Sequence, residues 1–366
     1  MTNQLAPATG AMEAKGAYNR HAQHQASGGA MVLPLLEGAI AAVGFEGEQP
    51  IVVVDYGASQ GKNSLAPMRL TIDAVRARVG SRRPILIYHE DLPINDFNAL
   101  FDTLHNDPGR YVVDRPNVFP CAIGRSFYEQ VLPDSSVDVG WSSYAAMWIS
   151  RVPMAIPGHF LPRRAPDAVR AAFERQLEAD WERFLSLRAR EMRPGGRLVV
   201  SIPGANDDGT FGFDEVLDQA NAALAEMVGE GALTADERAR MVHGGIPRPL
   251  RDLVAPFARD PHFAGLTLEH CEAFPVPDVV WDAFEKDGDR EALARARAAF
   301  FRVTFAPTLA GALENPGDPE RRRAFFDRLE TGLKRRLLEA PAPVRALIAA
   351  VVLAKSEAPS GKTQSA

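Results

Sequence analysis

The chain has 366 residues, 46% of them hydrophobic and 24% charged, and a formal net charge of −6. This composition is typical of a globular protein, and the length allows one large α/β domain with an insertion, or two domains. The acidic balance and the lack of a long basic block argue against nucleic acid as a partner. The two cysteines, Cys121 and Cys271, exclude a disulfide-rich scaffold and a four-cysteine zinc site.

The N-terminus shows no signal-peptide pattern. The first residues lack the basic and apolar regions of a signal peptide, and no run of about 18 apolar residues occurs. We therefore expect a cytoplasmic protein that does not contact a membrane. Residues 1–11 and 356–366 are polar and rich in Ala, Ser and Pro, so both tails are predicted to be disordered.

Strands alternate with helices through the first part of the chain. The patterns predict helices at 30–43, 64–79, within 91–105 and at 166–192, and strands at 51–55, 84–88, 118–124, 135–143 and 198–204. Asn95 or Asp96 is the expected N-cap of the third helix, and RPGGR is the expected stop of the fourth. This alternation predicts a mostly parallel, doubly wound α/β sheet with ligands at the carboxyl ends of its strands.

After residue 204 the alternation stops, and helices predominate. We expect helices at 211–228, 234–241, 250–257, 290–301 and 318–338, a strand at 265–274 and a closing edge strand at 344–353. A helical insertion between sheet strands is a natural lid over a pocket. We therefore predict a core at 12–204, a helical lid at 205–264, a core strand at 265–274, a second lid segment at 275–340 and a closing core strand at 341–355.

The segment IVVVDYGASQGKN is a buried strand that ends in Asp55 and passes directly into a glycine loop. Gly57 and Gly61 allow backbone conformations that a Cβ would forbid. The next strand ends in Glu90 and Asp91, and a carboxylate there can accept hydrogen bonds from ribose hydroxyls. Because neither G-x-G-x-x-G nor a Walker lysine follows, a nucleoside without phosphates fits best, with S-adenosylmethionine the obvious candidate. The alternative is an ordinary buried strand and turn.

The chain resembles the SABATH family of S-adenosylmethionine-dependent methyltransferases. Four blocks match in order: residues 18–25, DYGASQGKN, EDLPINDFNALF, and RSFYEQVLP with the following SSYAAMWISRVP. The resemblance implies a class I, Rossmann-like methyltransferase fold with a helical lid, S-adenosylmethionine as cofactor and S-adenosylhomocysteine as product. It also implies a small-molecule acceptor, an acid such as salicylate, benzoate or jasmonate or a xanthine nitrogen, and a homodimer. The Arg- and Ala-rich composition suggests a bacterial member.

Position by position, the resemblance implies a set of cofactor contacts: Tyr18, Asp55, Gly57, Asn63, Asp91, Leu92, Ser126 and Phe127. Asp91 would hold the ribose hydroxyls, and Leu92 and Phe127 would enclose the adenine ring. Ser126 would bond the adenine amine, and Asp55 and Asn63 would meet the methionine end. The alternative role for Leu92 and Phe127 is core packing.

The same resemblance assigns the acceptor site to Gln25 and Trp148 as catalytic residues, with Tyr144 and Met147 beside them. Amide and indole N–H groups can orient a carboxylate without neutralising it. Met147 stands where plant members carry histidine. Further candidates for the acceptor wall are Met241, His243, Ile246, Trp281, Phe284 and Phe305. The alternative for Trp148 is structural packing.

These residues predict an enzyme that methylates the carboxylate of a small organic acid by in-line displacement. A carboxylic acid with a pKa near ~4 is ionised at neutral pH, so no general base and no metal is required. One alternative is an N-, S- or C-methyltransferase of a small metabolite on the same scaffold. Another is a cofactor-binding protein without catalytic activity.

Overall fold

The computed structural model of the chain describes residues 28–113 and 115–356. A seven-stranded sheet contains β1 (Ile51–Tyr56), β2 (Ile85–Asp91), β3 (Val118–Gly124), β4 (Val137–Ser143), β5 (Met192–Gly204), β6 (Leu266–Pro275) and β7 (Leu347–Lys355). The strand order is β3-β2-β1-β4-β5-β7-β6. The first five strands pair in parallel, whereas β7 is antiparallel to both of its neighbours. The predicted α/β class and mostly parallel sheet are confirmed.

Helices cover both faces of the sheet. They are α1 (Leu33–Ala42), α2 (Leu65–Val79), α3 (Phe97–Asn106), α4 (Asp167–Glu191), α5 (Asp214–Gly229), α6 (Ala235–Arg240), α7 (Leu250–Arg259), α8 (Val279–Asp287), α9 (Arg290–Thr304), α10 (Ala306–Ala310) and α11 (Pro319–Glu339). The Asp96 carboxylate accepts the Ala99 N–H at 3.0 Å and caps α3, as one of the two predicted caps would.

Alternate residues of β1 pack on opposite faces of the sheet, as the pleat requires. Ile51 and Val53 join a core cluster that includes α1, α2, α5, α9 and α11. Val52 and Val54 join a second cluster, with α4 and α7. All six residues of β1 are buried, because helices cover both of its faces.

The edge position predicted for the last strand is wrong. β7 lies between β5 and β6, and seven of its nine residues, all but the first and last, are buried. Its unbroken apolar run, LIAAVVLA, is typical of a strand covered on both faces. The edge is formed by β6, where buried and accessible residues are mixed.

Two other features differ from the sequence prediction. The helix α4 ends before RPGGR, as expected, but β5 begins directly at Met192 and includes that segment. The helices α8 and α10 were not predicted. No residue of α8 is buried, and both helices are short, with nine and five residues, so each offers little pattern from which a helix could be recognised. Helices α5–α7 stand between β5 and β6, and α8–α11 between β6 and β7; the division into core and lid stays a prediction.

Candidate active site

The loop after β1 turns sharply at the carboxyl end of the parallel strands. The backbone N–H groups of Gly57 and Ala58 both donate to the Glu90 carbonyl oxygen at 2.9 Å, which ties this loop to the end of β2. Gly57 and Gly61 have φ values of +84° and +83°, a region that favours glycine. A Cβ on Gly57 would lie 2.1 Å from the Cβ of Ala145, so the loop also needs glycine for close approach.

Asp91, the last residue of β2, points its carboxylate toward this loop. Its Oδ2 accepts the Ser59 N–H at 2.7 Å, and its Oδ1 accepts the Leu92 N–H at 2.7 Å. Burial raises the pKa of Asp91 to about 6, although the two backbone hydrogen bonds lower it. Burial and the neighbouring Asp91 charge likewise raise the pKa of Glu90. The carboxylate is therefore fixed in orientation and poorly solvated.

Residues 126–132 form a loop beside Asp91, and side chains of α4 hydrogen-bond to the backbone of this loop. Arg188 donates to the carbonyl oxygens of Phe127 and Glu129 at 2.8 and 2.9 Å. Its partner Glu191, 2.8 Å away, accepts the Val131 N–H and the Tyr56 hydroxyl. Both charged side chains are fully buried. Sequence reasoning missed this ion pair, because nothing in the helix pattern distinguishes a buried Arg–Glu pair from a solvated one.

A cavity opens where these loops meet at the carboxyl ends of β1, β2 and β4. We call it the cofactor cavity. It is lined by Gly57, Ser59, Asp91, Leu92, Ser126, Phe127, Tyr128, Ser143, Tyr144, Ala145, Trp148, Ile149 and Ser150. The lining combines one carboxylate with several apolar side chains. This combination suits a ligand with a sugar and an aromatic base.

A second cavity, which we call the acceptor cavity, lies under the helices that follow β5 and β6. It is lined by Tyr144, Met147, Trp148, Pro203, Phe211, Phe213, His243, Gly245, Pro247, Phe300, Thr304, Phe305, Ala346 and Leu347. Tyr144 and Trp148 line both cavities and form a shared wall. Most of the other side chains are apolar, so this cavity suits a small, largely apolar molecule.

The shared wall is built by the turn after β4. Tyr144 has a φ of +58°, which is uncommon for a bulky residue and recurs at functional sites. Its N–H donates to the Ser201 carbonyl at 2.8 Å. The Tyr128 hydroxyl donates to the Trp148 carbonyl at 2.6 Å, and Trp148 also forms a bridge with Gly245. Strand, loop and the segment after α6 together fix the indole between the two cavities.

The structure brings most of the predicted site residues together. Gly57, Asp91, Leu92, Ser126 and Phe127 line the cofactor cavity, and Tyr144, Met147 and Trp148 line the acceptor cavity. Tyr18 and Gln25 lie outside the described residues.

Asp55 and Asn63 do not contribute to the cavity walls formed by the described residues. The Asp55 Oδ2 lies 3.0 Å from Nδ1 of the buried His89, whose Nε2 lies 2.7 Å from the Tyr111 hydroxyl. Asn63 lies in the turn before α2.

The acceptor-wall candidates separate into two groups. His243 and Phe305 line the acceptor cavity. Met241 is buried in the core and Ile246 is partly buried against another cluster, whereas Trp281 and Phe284 lie on α8. Sequence reasoning missed Ser59 and Tyr128 in the cofactor cavity and Phe211 and Phe213 in the acceptor cavity. Ser59 and Tyr128 had an available signal, since they stand inside the DYGASQGKN and RSFYEQVLP blocks.

The described part of the chain contains no cluster of three or more His, Cys, Asp or Glu side chains arranged to hold a metal ion. Over the same residues, no helix is long and apolar enough to cross a membrane.

The fold is that of the class I S-adenosylmethionine-dependent methyltransferases. A solved structure of loganic acid methyltransferase with SAH superimposes with a TM-score of 0.77 at 18% identity, covering 94% of this chain and 99% of that one. The family model described as SAM-dependent carboxyl methyltransferase matches residues 3–243. The chain therefore belongs to the family of S-adenosylmethionine-dependent carboxyl methyltransferases, and the resemblance seen in the sequence is confirmed.

Two curated relatives illustrate the similarity. Methyltransferase LUC1 of Fusarium sp is 33% identical over 232 residues, which is 61% of this chain and 59% of that protein. Salicylate carboxymethyltransferase of Clarkia breweri is 30% identical over 294 residues, 76% of this chain and 78% of that protein. The match thus spans less than two thirds of the Fusarium relative and more than three quarters of the Clarkia one.

Proposed function

We propose that this chain methylates the carboxylate of a small organic acid to a methyl ester, with S-adenosylmethionine as the methyl donor. Family membership and the relatives named above support this activity. The observation that carries the proposal is the shared wall, because Tyr144 and Trp148 border both a nucleoside-type cavity and an apolar cavity. A donor and an acceptor bound in the two cavities would meet at this wall.

The residues of the cofactor cavity fit the proposed cofactor. The Asp91 carboxylate can accept hydrogen bonds from the ribose hydroxyls, and Leu92 and Phe127 offer apolar faces to the adenine ring. Ser126 would bond the adenine amine, and Tyr18 and Asn63 would contact the methionine end. Asp55 would also meet the methionine end, although its buried carboxylate pairs with His89 and does not line the cavity formed by the described residues. When bound, S-adenosylmethionine supplies an electrophilic methyl group on a sulfonium centre.

The acceptor residues orient a carboxylate without protonating it. The Trp148 indole N–H and the Gln25 amide are uncharged donors, so they fix the carboxylate and leave its negative charge available for attack. Transfer is then an in-line displacement by a carboxylate oxygen. The acid is ionised at neutral pH, so the protein contributes alignment and exclusion of water instead of a general base.

The test is a screen of small carboxylic acids for radiolabelled methyl transfer, with base hydrolysis of the product. Methyl esters hydrolyse in base, whereas N-, S- and C-methyl products do not. Base hydrolysis therefore distinguishes carboxyl methylation from the alternative of N-, S- or C-methylation. We expect the double variant Gln25→Ala, Trp148→Phe to lose ester formation while S-adenosylmethionine still binds in isothermal titration. Normal methylation by that variant contradicts the carboxylate-binding role.

A matched control for the tryptophan change is Trp281→Phe. Trp281 lies on α8, where its Nε1 donates to Glu285 at 2.7 Å, outside both cavities. We expect this variant to methylate at the wild-type rate. Cofactor binding by the wild type without transfer to any acid would overturn the proposal and leave the two alternatives, a methyltransferase of another acceptor and a protein without catalytic activity.

The remaining expectations are also proposals. We propose a cytoplasmic protein that forms a homodimer, binds no nucleic acid, comes from a bacterium and divides into core and lid as outlined above. The composition and the family resemblance support these statements. Light scattering after size-exclusion chromatography tests the dimer directly.

A further inference from the structure

A third cavity, which we call the outer cavity, lies between α8 and α9. Neither Tyr144 nor Trp148 lines it, so it is separate from the shared wall of the two cavities described above. Its apolar lining includes Val280, Ala283 and Phe284 of α8 and Ala292, Leu293 and Ala296 of α9. Its volume is about 580 Å³. Clefts that bind a small-molecule ligand measure about 300–1,000 Å³, so the space between these helices is large enough for one.

Helix α8 carries apolar side chains that the described part of the chain leaves partly uncovered. None of its nine residues is buried, although five of them are apolar: Val279, Val280, Trp281, Ala283 and Phe284. Val279 is 53% exposed. Exposed apolar surface beside a cleft is typical of a ligand-binding groove. An apolar ligand in the outer cavity would bury the face of α8 that borders it.

The charged residues that line the outer cavity are paired or exposed. Asp278 and Arg297 form an ion pair, and Oδ2 of Asp278 also accepts the Val344 N–H at 2.7 Å. Asp287, Asp289 and Arg295 are exposed to solvent. The lining therefore offers a ligand no unpaired buried charge. Because burial of a charge without a partner is costly, we infer that the group bound here is uncharged and apolar.

One pair of aromatic rings separates the outer cavity from the acceptor cavity. Phe213 and Phe300 line both cavities, and their rings stack with centroids 5.4 Å apart. The acceptor cavity, as bounded by the described residues, has a volume of about 60 Å³. Since about 10–15 Å³ holds one water molecule, an acid bound at Trp148 has room there for few atoms beyond its carboxylate. A longer acid finds further space across the aromatic pair.

We propose that the outer cavity binds the distal, apolar part of the acceptor, so that the preferred acids have an extended aliphatic body. This inference rests on the proposed carboxyl methylation. The carboxylate lies at Trp148, the chain passes beside Phe300, and its end lies between α8 and α9. Each methylene buried there stabilises the bound acid and the transition state equally. It therefore lowers KM and leaves kcat unchanged.

The experiment compares butanoate, octanoate and dodecanoate as substrates of the wild type and of Ala283→Trp, which places a bulky side chain in the outer cavity. For the wild type we expect KM to fall with chain length, by up to about fourfold for each methylene that becomes buried, at nearly constant kcat. In Ala283→Trp the longest acid should lose this advantage. The value of kcat/KM for butanoate should stay within about twofold of the wild type, because its chain ends before the outer cavity.

The matched control on the same helix is Lys286→Trp. Lys286 is exposed and lines none of the three cavities. This variant introduces the same side chain and should keep the wild-type dependence of KM on chain length. Loss of that dependence in the control as well would attribute the effect to α8 as a whole and contradict the role of the cavity.

The kinetic outcomes distinguish this inference from the proposed function. Methylation of no acid by the wild type overturns both. If acids are methylated but KM does not fall with chain length, or falls equally in Ala283→Trp, the role of the outer cavity alone is wrong.

A labelling experiment requires neither turnover nor a variant. Dodecanoate with a diazirine at its far end is photolysed on the wild type in the presence of S-adenosylhomocysteine. We expect the label on residues of α8 or α9, and competition by unmodified dodecanoate. Labelling confined to other elements contradicts the proposal, as it would if another segment of the chain filled the cavity. Labelling of α8 or α9 by an acid that is never methylated would show an apolar ligand site and overturn its assignment to the acceptor.

Discussion

Folding places the Asp91 carboxylate where its charge is poorly solvated. Its pKa rises from 3.8 to about 6, so between these values the folded chain binds more protons than the unfolded chain. The free energy of unfolding therefore falls as the pH rises from about 4 to about 6 and then levels off. A ligand whose hydroxyls donate to the ionised carboxylate would offset this loss.

We predict that Asp91→Asn changes the pH dependence of stability and weakens ligand binding. Without ligand, the wild type should lose stability as the pH rises from about 4 to about 6, whereas the variant should not show this change, because an amide does not titrate. The variant also loses one of the two backbone hydrogen bonds, since an amide offers one acceptor oxygen to the N–H groups of Ser59 and Leu92. S-adenosylhomocysteine affinity should fall about 100-fold, because hydrogen bonds to a charged acceptor are the stronger ones. Wild-type affinity should also fall below pH 6, whereas the affinity of the variant should not change with pH. Calorimetry measures both quantities.

The control for this prediction is Asp102→Asn, an exposed carboxyl on α3. It should change neither the melting temperature nor the affinity. An Asp91→Asn variant that binds the ligand with wild-type affinity would show that the ribose is held by another group.

Several residues of the long motifs could be predicted from the sequence, although Ser59 and Tyr128 of the same motifs were missed. DLPINDF and the Ser-Phe-Tyr block identify Asp91, Leu92 and Phe127, all of which line the cofactor cavity. Arg188 and Glu191 carry no such signal. Their burial depends on the docking of α4 against the loop at residues 126–132, which is a tertiary contact that no local pattern encodes.

At the scale of elements, α4 both covers the sheet and holds a loop of the cofactor cavity. Its last turns carry the buried Arg188–Glu191 pair, and the Arg188 guanidinium also lies 4.4 Å above the Tyr56 ring. One helix end thus connects the end of β1 to the loop that forms one side of the cofactor cavity. A buried ion pair is weak evidence for stability in itself, but removal of one partner leaves an unpaired charge.

We predict that Arg188→Met destabilises the protein by about 3–5 kcal/mol and weakens S-adenosylhomocysteine binding at least about tenfold. The double variant Arg188→Met, Glu191→Met should recover much of the stability, because no charge is left unpaired, but not the affinity, because the bonds to the loop stay lost. Chemical denaturation and isothermal titration give the two values. Recovery of both together would mean that the pair has no positioning role.

The matched control on the same helix is Arg190→Met. Arg190 pairs at 2.7 Å with Asp134, and both side chains are more than half exposed. An exposed pair contributes about 0–1 kcal/mol, so this variant should lose little stability and no affinity.

Helices and strands were predicted well where local sequence signals were strong, and poorly where tertiary packing determines their position. The Asp96 cap fixes the start of α3, and Asp96 was one of the two caps expected. The apolar run of β7 identifies a strand but not its neighbours in the sheet. Its place between β5 and β6 depends on pairings with strands far away in sequence, which a local pattern does not specify.

For the whole molecule, the two cavities have different origins. The cofactor cavity is built by the loops after parallel strands, whereas much of the acceptor cavity is contributed by elements that follow β5. Only Tyr144 and Trp148 belong to both among the residues found to line them. Changes on the acceptor side alone should therefore leave cofactor binding intact.

We predict that S-adenosylhomocysteine at 100 times its Kd raises the free energy of unfolding by about 2.7 kcal/mol. Phe305→Leu should lower the stability of the free protein, because Phe305 stacks on Phe301 at 5.3 Å. The increment produced by the ligand should stay the same, while KM for the acid rises. Thermal unfolding with and without ligand measures the increment, and a smaller one in the variant would contradict the independence of the two cavities.

The interior position of β7 has a consequence for how the chain is made. More than 70 residues separate β6 from β7, yet β6 pairs in the sheet only through β7. During synthesis, β5 and β6 therefore leave the ribosome before β7. Until β7 is made, one edge of β5 and both edges of β6 have no strand to pair with. Unpaired strand edges favour aggregation. A nascent chain that stalls before residue 347 would therefore expose unpaired edges of both β5 and β6, and we expect it to aggregate.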